Sequence, residues 1–167
     1  IDDNSVEDIV VVGAGFIGLE VAENLRIAGK NVTIVEAAPQ VLTLLDYDMA
    51  QTLHHEIMKH GVDLIVSDSV TEITDTEVIL NSGKHVSAKA VVMAIGVTPE
   101  VSLAKDADLE LGVTGGIKVN HHYQTNDPHI YAVGDAIEVT HFITKKPTRL
   151  TLAGPAQVRR VGFFVIK

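Results

Sequence analysis

Gly13, Gly15 and Gly18 stand at G-x-G-x-x-G spacing within residues 9–25, IVVVGAGFIGLEVAENL. Glycines at that spacing do three separate jobs. The first permits a tight turn, the second lets backbone approach a pyrophosphate, and the third packs a helix closely against a strand. Glu36 follows eighteen residues beyond Gly18. It is a carboxylate at the tip of a second β-branched run, placed to accept the hydroxyl hydrogens of an adenosine ribose. The chemistry implied is recognition of a dinucleotide, with phosphates on backbone N–H groups and ribose on an acid. A carboxylate there also repels a 2′-phosphate, and Ala37-Ala-Pro-Gln40 supplies no base to offset it. The expected cofactor is therefore NADH in preference to NADPH.

Those groups act together only if particular elements carry them. Residues 9–12 are too short for a helix and read as a buried strand. A helix starts at Phe16, with Ile17, Val21, Leu25 and Ala28 predicted along its buried side and Gly29 closing it. Its first N–H groups face the phosphates, and Phe16 and Ile17 are counted with the glycines as cofactor-binding. Residues 31–35 form a second strand, which a right-handed crossover lays beside the first. After the loop AAPQVLTLLD, Asp48 is expected to cap a second helix that carries Met49, Leu53 and Ile57 and closes at Gly61. Residues 62–66 read as a third strand. Residues 70–73, 77–80 and 86–88 read as an antiparallel meander that turns at Asn81-Ser-Gly-Lys84. Residues 90–95 are a buried strand ended by Gly96, beside the nucleotide. The fold class expected is α/β, a Rossmann-like parallel sheet with helices on both faces and a small antiparallel β-meander.

The 167 residues are 46% hydrophobic, enough to bury a core. A net charge of −9 argues against binding nucleic acid or an anionic membrane through a general basic field. No apolar run reaches transmembrane length, and the acidic opening IDDNSVED lacks the basic start of a signal peptide, so a cytoplasmic chain is expected. The absence of cysteine removes disulfide and thiol chemistry from these residues. Eight histidines raise the question of a metal site. His54-His55 and His121-His122 are adjacent pairs that diverge, and no pair has the i, i+4 spacing of a helical zinc site, so no metal is expected. The Lys145-Lys146 and Arg159-Arg160 pairs read as solvated charge.

Residues 125–136, TNDPHIYAVGDA, carry a second signal. Asn126-Asp-Pro128 turns the chain and 130–133 is a short apolar strand. Gly134 and Asp135 end it with room for close approach and a carboxylate that can receive a sugar-like hydroxyl. The order GAGFIGLE, VVMAIGVTPE, TNDPHIYAVGDA resembles the flavin-dependent pyridine nucleotide-disulfide oxidoreductases over nearly the whole chain. The wording SLAKDADLELG, GGIKVN, DPHIYAVGDAIEV and LTLAGPA is most similar to coenzyme A-disulfide reductases, including rhodanese-fused and NADH-dependent persulfide-reducing forms. NADH oxidases of the same branch are close competitors.

The resemblance implies an NAD(P)H-binding Rossmann domain over 1–116 and the C-terminal remnant of a split FAD-binding domain over 117–167. It implies that the intact enzyme is a homodimer in which NADH passes hydride through FAD to a small-molecule disulfide or persulfide such as coenzyme A disulfide. Gly134 and Asp135 match the pair that binds the FAD ribityl chain, and Glu20 of the IGLE element lies near nicotinamide and flavin. The flavin domain's own glycine-rich unit and the single redox cysteine of this branch lie in portions that these residues do not include. No catalytic residue is assigned here, and the 167 residues are expected to bind no FAD and to be inactive by themselves. Where the family continues PAN toward a glycine and an arginine, Pro155-Ala-Gln-Val-Arg-Arg160 leads into GFFVIK, a departure from the pattern of a flavin-contacting helix over 157–167. A rival from another class, a non-catalytic NAD-binding sensor, needs only the first 96 residues, and the GDA strand counts against it. Strand 130–133, without flavin-sheet neighbours, is expected to dock in parallel beside the strand ending at Ile95.

Overall fold

Alternation along one short run organises the core: β1 (Asp8–Val12) turns Ile9 and Val11 to one face and Val10 and Val12 to the other, all four buried. In this computed structural model, which describes residues 6–149 and the backbone of 164–166, β1 lies inside a parallel sheet. α1 (Phe16–Ile27) leads to β2 (Asn31–Val35), and α2 (Tyr47–Lys59) leads to β3 (Asp63–Ile65). β4 (Val70–Ile73), β5 (Glu77–Leu80) and β6 (His85–Ser87) form the antiparallel meander, and β7 (Ala90–Met93) returns to the sheet. The sheet order is β3-β2-β1-β7, with Val11 opposite both Ile34 and Val92.

Both helices lie on one face. Ile9, Val11, Val32 and Ile34 pack with Ala22 and Leu25 of α1, and Leu53 and Ile57 of α2 join them at partly buried positions. Two right-handed crossovers that step the same way across a sheet must put their helices on the same side. The third connection runs from β3 at one edge back to β7 at the other, so it crosses the opposite face. The meander makes that crossing, packing Val78, Leu80 and Ala88 against Val10, Val12 and Val35. The α/β class, the parallel sheet and the meander are as the sequence implies. Helices on both faces, also expected, are replaced by helices on one face and the meander on the other.

Two local features also differ from expectation. The buried side of α1 is Gly18, Ala22 and Leu25; Ile17 is 53% exposed. α2 is capped at Asp46, and the expected cap Asp48 lies in the first turn instead, where its charge still meets the positive end of the helix dipole.

The chain parts into two compact units between Gly96 and Val97, whereas the domain boundary implied by the resemblance is 116/117. The second unit holds α3 (Ser102–Asp106), β8 (Ile117–Lys118), β9 (Ile130–Ala132), β10 (Ile137–Thr140), β11 (Pro147–Thr148) and β12 (Phe164–Ile166). Its core is Ala104, Leu109, Ile117, Ala132 and Ile137. β8 and β11 flank β10. Buried Glu138 of β10 accepts the N–H and the hydroxyl of Thr114 at 2.6 and 2.7 Å, which pins the turn before β8.

β9 pairs antiparallel with β12. The parallel docking of 130–133 beside the strand ending at Ile95 is therefore wrong, since the four-stranded sheet ends at β7. A short apolar strand takes whatever edge is tethered in its own unit, and an antiparallel partner needs no crossover. Residues 150–156, the Arg159-Arg160 pair and the rest of 157–163 lie outside the described residues, and of 157–167 the described part is a strand.

Because the meander closes the second face, Leu80→Ala is expected to cost about 3 kcal/mol of unfolding free energy, as deletions of fully buried leucines do. Urea denaturation followed by circular dichroism measures it, and a loss below about 1 kcal/mol would show that the meander is not part of the core.

Candidate functional site

The turn from β1 into α1 is set by contacts that leave no room for side chains. Gly13 has φ +100°, and a Cβ added there would stand 2.5 Å from the backbone oxygen of Ala94. Its N–H donates to Val35 O at 2.8 Å. At Gly18, in the first turn of α1, a Cβ would stand 2.0 Å from Gly13 O. The fold itself demands these two glycines. Gly15 differs: it is the N-cap of α1 at an ordinary φ of −74°, and a Cβ there meets nothing within 4 Å. The space in front of it is clear on the protein's side.

α1 directs its N-terminus at that space. Its first intrahelical bond runs from Leu19 N–H to Gly15 O at 3.0 Å, so the N–H groups ahead of Leu19 have no intrahelical partner. No side chain caps the helix, and no acid sits in its first turn. Those N–H groups and the helix dipole are suited to attract an anion.

Glu36, half-buried at the end of β2, ties the surroundings of the loop together. Its Oε2 accepts Ala14 N–H at 2.7 Å and its Oε1 accepts Ala38 N–H at 2.8 Å. Each oxygen keeps a lone pair for a further donor. From the other side, Leu42 N–H donates to Ala14 O at 3.0 Å.

A cleft of about 780 Å³ opens where β1, β2 and β7 end, lined by residues 12–15, 35–37, 42–43, 68–73 and 93–96. That volume suits a cofactor. Its charged lining is Glu36, Asp68 and Glu72, with no Lys, Arg or His among the lining residues. Asp68 accepts the Ser82 hydroxyl at 2.5 Å and the N–H groups of Ser82 and Ser69 at 3.2 and 2.9 Å. These bonds, the Ser82 hydroxyl first, hold its carboxyl below the usual range. The acid therefore stays charged on the cleft wall.

Of the residues singled out in the sequence, the structure brings Gly13, Gly15, Glu36 and Gly96 to the cleft and sets Gly18 beneath the loop as its packing contact. Phe16 and Ile17, 62% and 53% exposed, and exposed Glu20 lie along the start of α1 outside the cleft lining. Gly134, at φ +100°, and exposed Asp135 follow β9 in the second unit. Three contributors escaped the sequence reading: Ala14 and Leu42, which act through backbone, and Asp68, whose partner is fourteen residues away. Among the described residues no His, Cys, Asp and Glu cluster is arranged to hold a metal ion, and no helix is long and apolar enough to cross a membrane.

Residues 1–157 match the profile of the pyridine nucleotide-disulphide oxidoreductases. An NADH oxidase of Methanocaldococcus jannaschii is 42% identical over 96% of this chain and 36% of its own length. A coenzyme A disulfide reductase of Staphylococcus epidermidis is 33% identical over 92% of this chain and 35% of its own. Among solved structures, reduced Bacillus anthracis CoADR-RHD superposes with a TM-score of 0.87 at 48% identity, covering 94% of this chain and 28% of that one. The chain thus spans about a third of the length of the curated relatives it matches.

The glycines separate by experiment. Gly18→Ala is expected to lose about 3 kcal/mol of stability from overpacking against Gly13. Gly15→Ala is expected to melt within about 2 °C of wild type yet bind dinucleotide roughly tenfold more weakly, a change of about 1.4 kcal/mol. Thermal melts and calorimetric titration decide it, and a Gly15→Ala chain that melts early would assign that glycine to the fold instead.

Proposed function

The chain belongs to the pyridine nucleotide-disulphide oxidoreductase family, and on that premise we propose that its first unit is the NADH-binding part of a flavoprotein that reduces a disulfide or persulfide. The observation that carries this reading is Gly15: an extended N-cap facing clear space at an uncapped helix N-terminus. Gly13, Gly15 and the first N–H groups of α1 take the pyrophosphate, and Glu36 takes the adenosine ribose hydroxyls with its remaining lone pairs. Gly96 keeps the end of β7 clear. Phe16 and Ile17 carry the first of those N–H groups, and Glu20, exposed on the next turn of α1, serves the nicotinamide end. In the second unit, Gly134 and Asp135 offer a close-approach glycine and an exposed acid that fit the ribityl hydroxyls of FAD.

A bound flavin supplies two-electron transfer between the nicotinamide and the acceptor. The residues of this chain bind and orient; the 167 residues include no cysteine to act as a redox thiol. A disulfide acceptor is supported by the coenzyme A disulfide reductases and by an NAD(P)H coenzyme A polysulfide/persulfide reductase of Pyrococcus horikoshii, 34% identical. A second reading, an NADH oxidase, is favoured by the 42% identity to the Methanocaldococcus jannaschii protein.

NADH over NADPH follows from the acid-only lining, because a 2′-phosphate brought near Glu36 would meet repulsion on the order of 1 to 4 kcal/mol. An engineered water-forming NADPH oxidase bound to NADPH, 25% identical with a TM-score of 0.79, carries substitutions that remove an acid and introduce two arginines. Calorimetric titration is expected to show NADH binding at least tenfold more tightly than NADPH; equal or tighter NADPH binding would overturn the preference. The purified 167-residue chain is also expected to show no flavin absorbance and no NADH-dependent reduction of coenzyme A disulfide. A yellow preparation or measurable turnover would contradict that expectation.

A further inference from the structure

The loop between β2 and α2 forms one wall of the cleft through Ala37, Leu42 and Thr43. One buried side chain on α2 fastens it. Val41 is fully buried, and its N–H donates to Nε2 of His54 at 3.1 Å; His54 is itself 8% exposed. A backbone N–H can only donate, so Nε2 supplies the lone pair and the ring proton sits on Nδ1. The next residue, Leu42, has φ +43°, a left-handed conformation that a leucine holds only under constraint. Its N–H donates to Ala14 O at 3.0 Å. Two consecutive N–H groups thus tie a strained step of the loop to α2 on one side and to the glycine loop on the other. Ala14 N–H in turn donates to Glu36 Oε2 at 2.7 Å, which links His54 by backbone bonds to the acid of the cleft.

We propose that His54 is a positioning residue for dinucleotide binding: its Nε2 holds the 37–45 loop against the glycine loop and so sets the cleft that receives the adenosine half. This rests on reading the cleft as a dinucleotide site. Without the acceptor, the buried Val41 N–H has lost its partner, Leu42 can relax out of its strained conformation, and the bond to Ala14 O goes with it.

Two variants test it. His54→Leu keeps apolar bulk but removes the acceptor, whereas His54→Gln offers an amide oxygen near the place of Nε2. In the ligand-free protein, amide hydrogen exchange at Val41 and Leu42 should quicken at least tenfold in His54→Leu and stay near wild type in His54→Gln. Exchange at Val11, in the sheet core, should be unchanged in both. NADH titration should show about tenfold weaker binding for His54→Leu, or about 1.4 kcal/mol, with His54→Gln largely restored.

Unchanged exchange at Val41 and Leu42 in His54→Leu overturns the latch. Quickened exchange with unchanged NADH affinity overturns its role in binding, and quickening that includes Val11 reassigns His54 to general stability. Wild-type protein with a protected loop but no NADH affinity overturns the cofactor reading and this proposal with it, an outcome distinct from the others. Should His54→Leu not fold, nitrogen-15 spectra of wild type decide: the ring proton is expected on Nδ1, and a proton on Nε2 overturns the bond.

Discussion

The close approach at Gly13 is the constraint on which the first unit depends. There the turn leaving β1 passes under the backbone oxygen of Ala94 after β7, while the first turn of α1 presses Gly18 against Gly13 O. Three elements meet with only hydrogen on the α-carbons between them. Any side chain at either position would push the helix off the strand, and the helix N-terminus would no longer stand over the strand ends. The core and the site thus share one contact. The motif thus has two glycines whose need is internal, while at Gly15 a Cβ would meet only open space.

Topology then supplies the rest of the cleft. Because two like-handed crossovers place both helices on one face, the return from β3 to β7 must cross the other, and the meander does so. Val78 and Leu80 bury themselves against the sheet, while residues 68–73 at the start of the meander stand beside the strand ends as a wall of the cleft. The element that completes the core also completes the site. A helix making the same crossing would bury the same face without putting Asp68 and its Ser82 partner at the rim.

Much of this was legible in the sequence because it is written in local periodicity and glycine spacing. The strands at 9–12 and 31–35, the turn, the helix start at Phe16 and the three meander strands follow from alternation and breaker residues. What was not legible depends on backbone or on distance. Ala14 and Leu42 act through N–H and C=O groups that every residue type carries, so no side chain marks them. The buried side of α1 is set by Gly18, whose lack of a side chain brings that side against the sheet; a count of apolar residues points instead to Ile17. The antiparallel partner of β9 lies more than thirty residues downstream, where an apolar run can join any open edge. Local pattern tells which residues are strand; it does not tell which strand they join.

Under the dinucleotide reading proposed above, a cleft lined by three carboxylates would have to accept an anionic ligand. No cation among the lining residues neutralises the phosphates, so the attraction must come from N–H dipoles at the start of α1, which act at contact distance and decay within a helix turn. The acids can be tolerated only where they meet hydroxyls. Glu36 suits that condition, because its position is fixed by the Ala14 and Ala38 N–H groups, which partly offset its charge and leave lone pairs for further donors. Binding built this way draws little on long-range attraction in a chain of net charge −9. Its selectivity would rest on geometry: a phosphate is favoured within reach of the helix N-terminus and penalised elsewhere in the cleft. On that reading, the same acid that orders the glycine loop would also decide where on the ligand a negative charge is allowed.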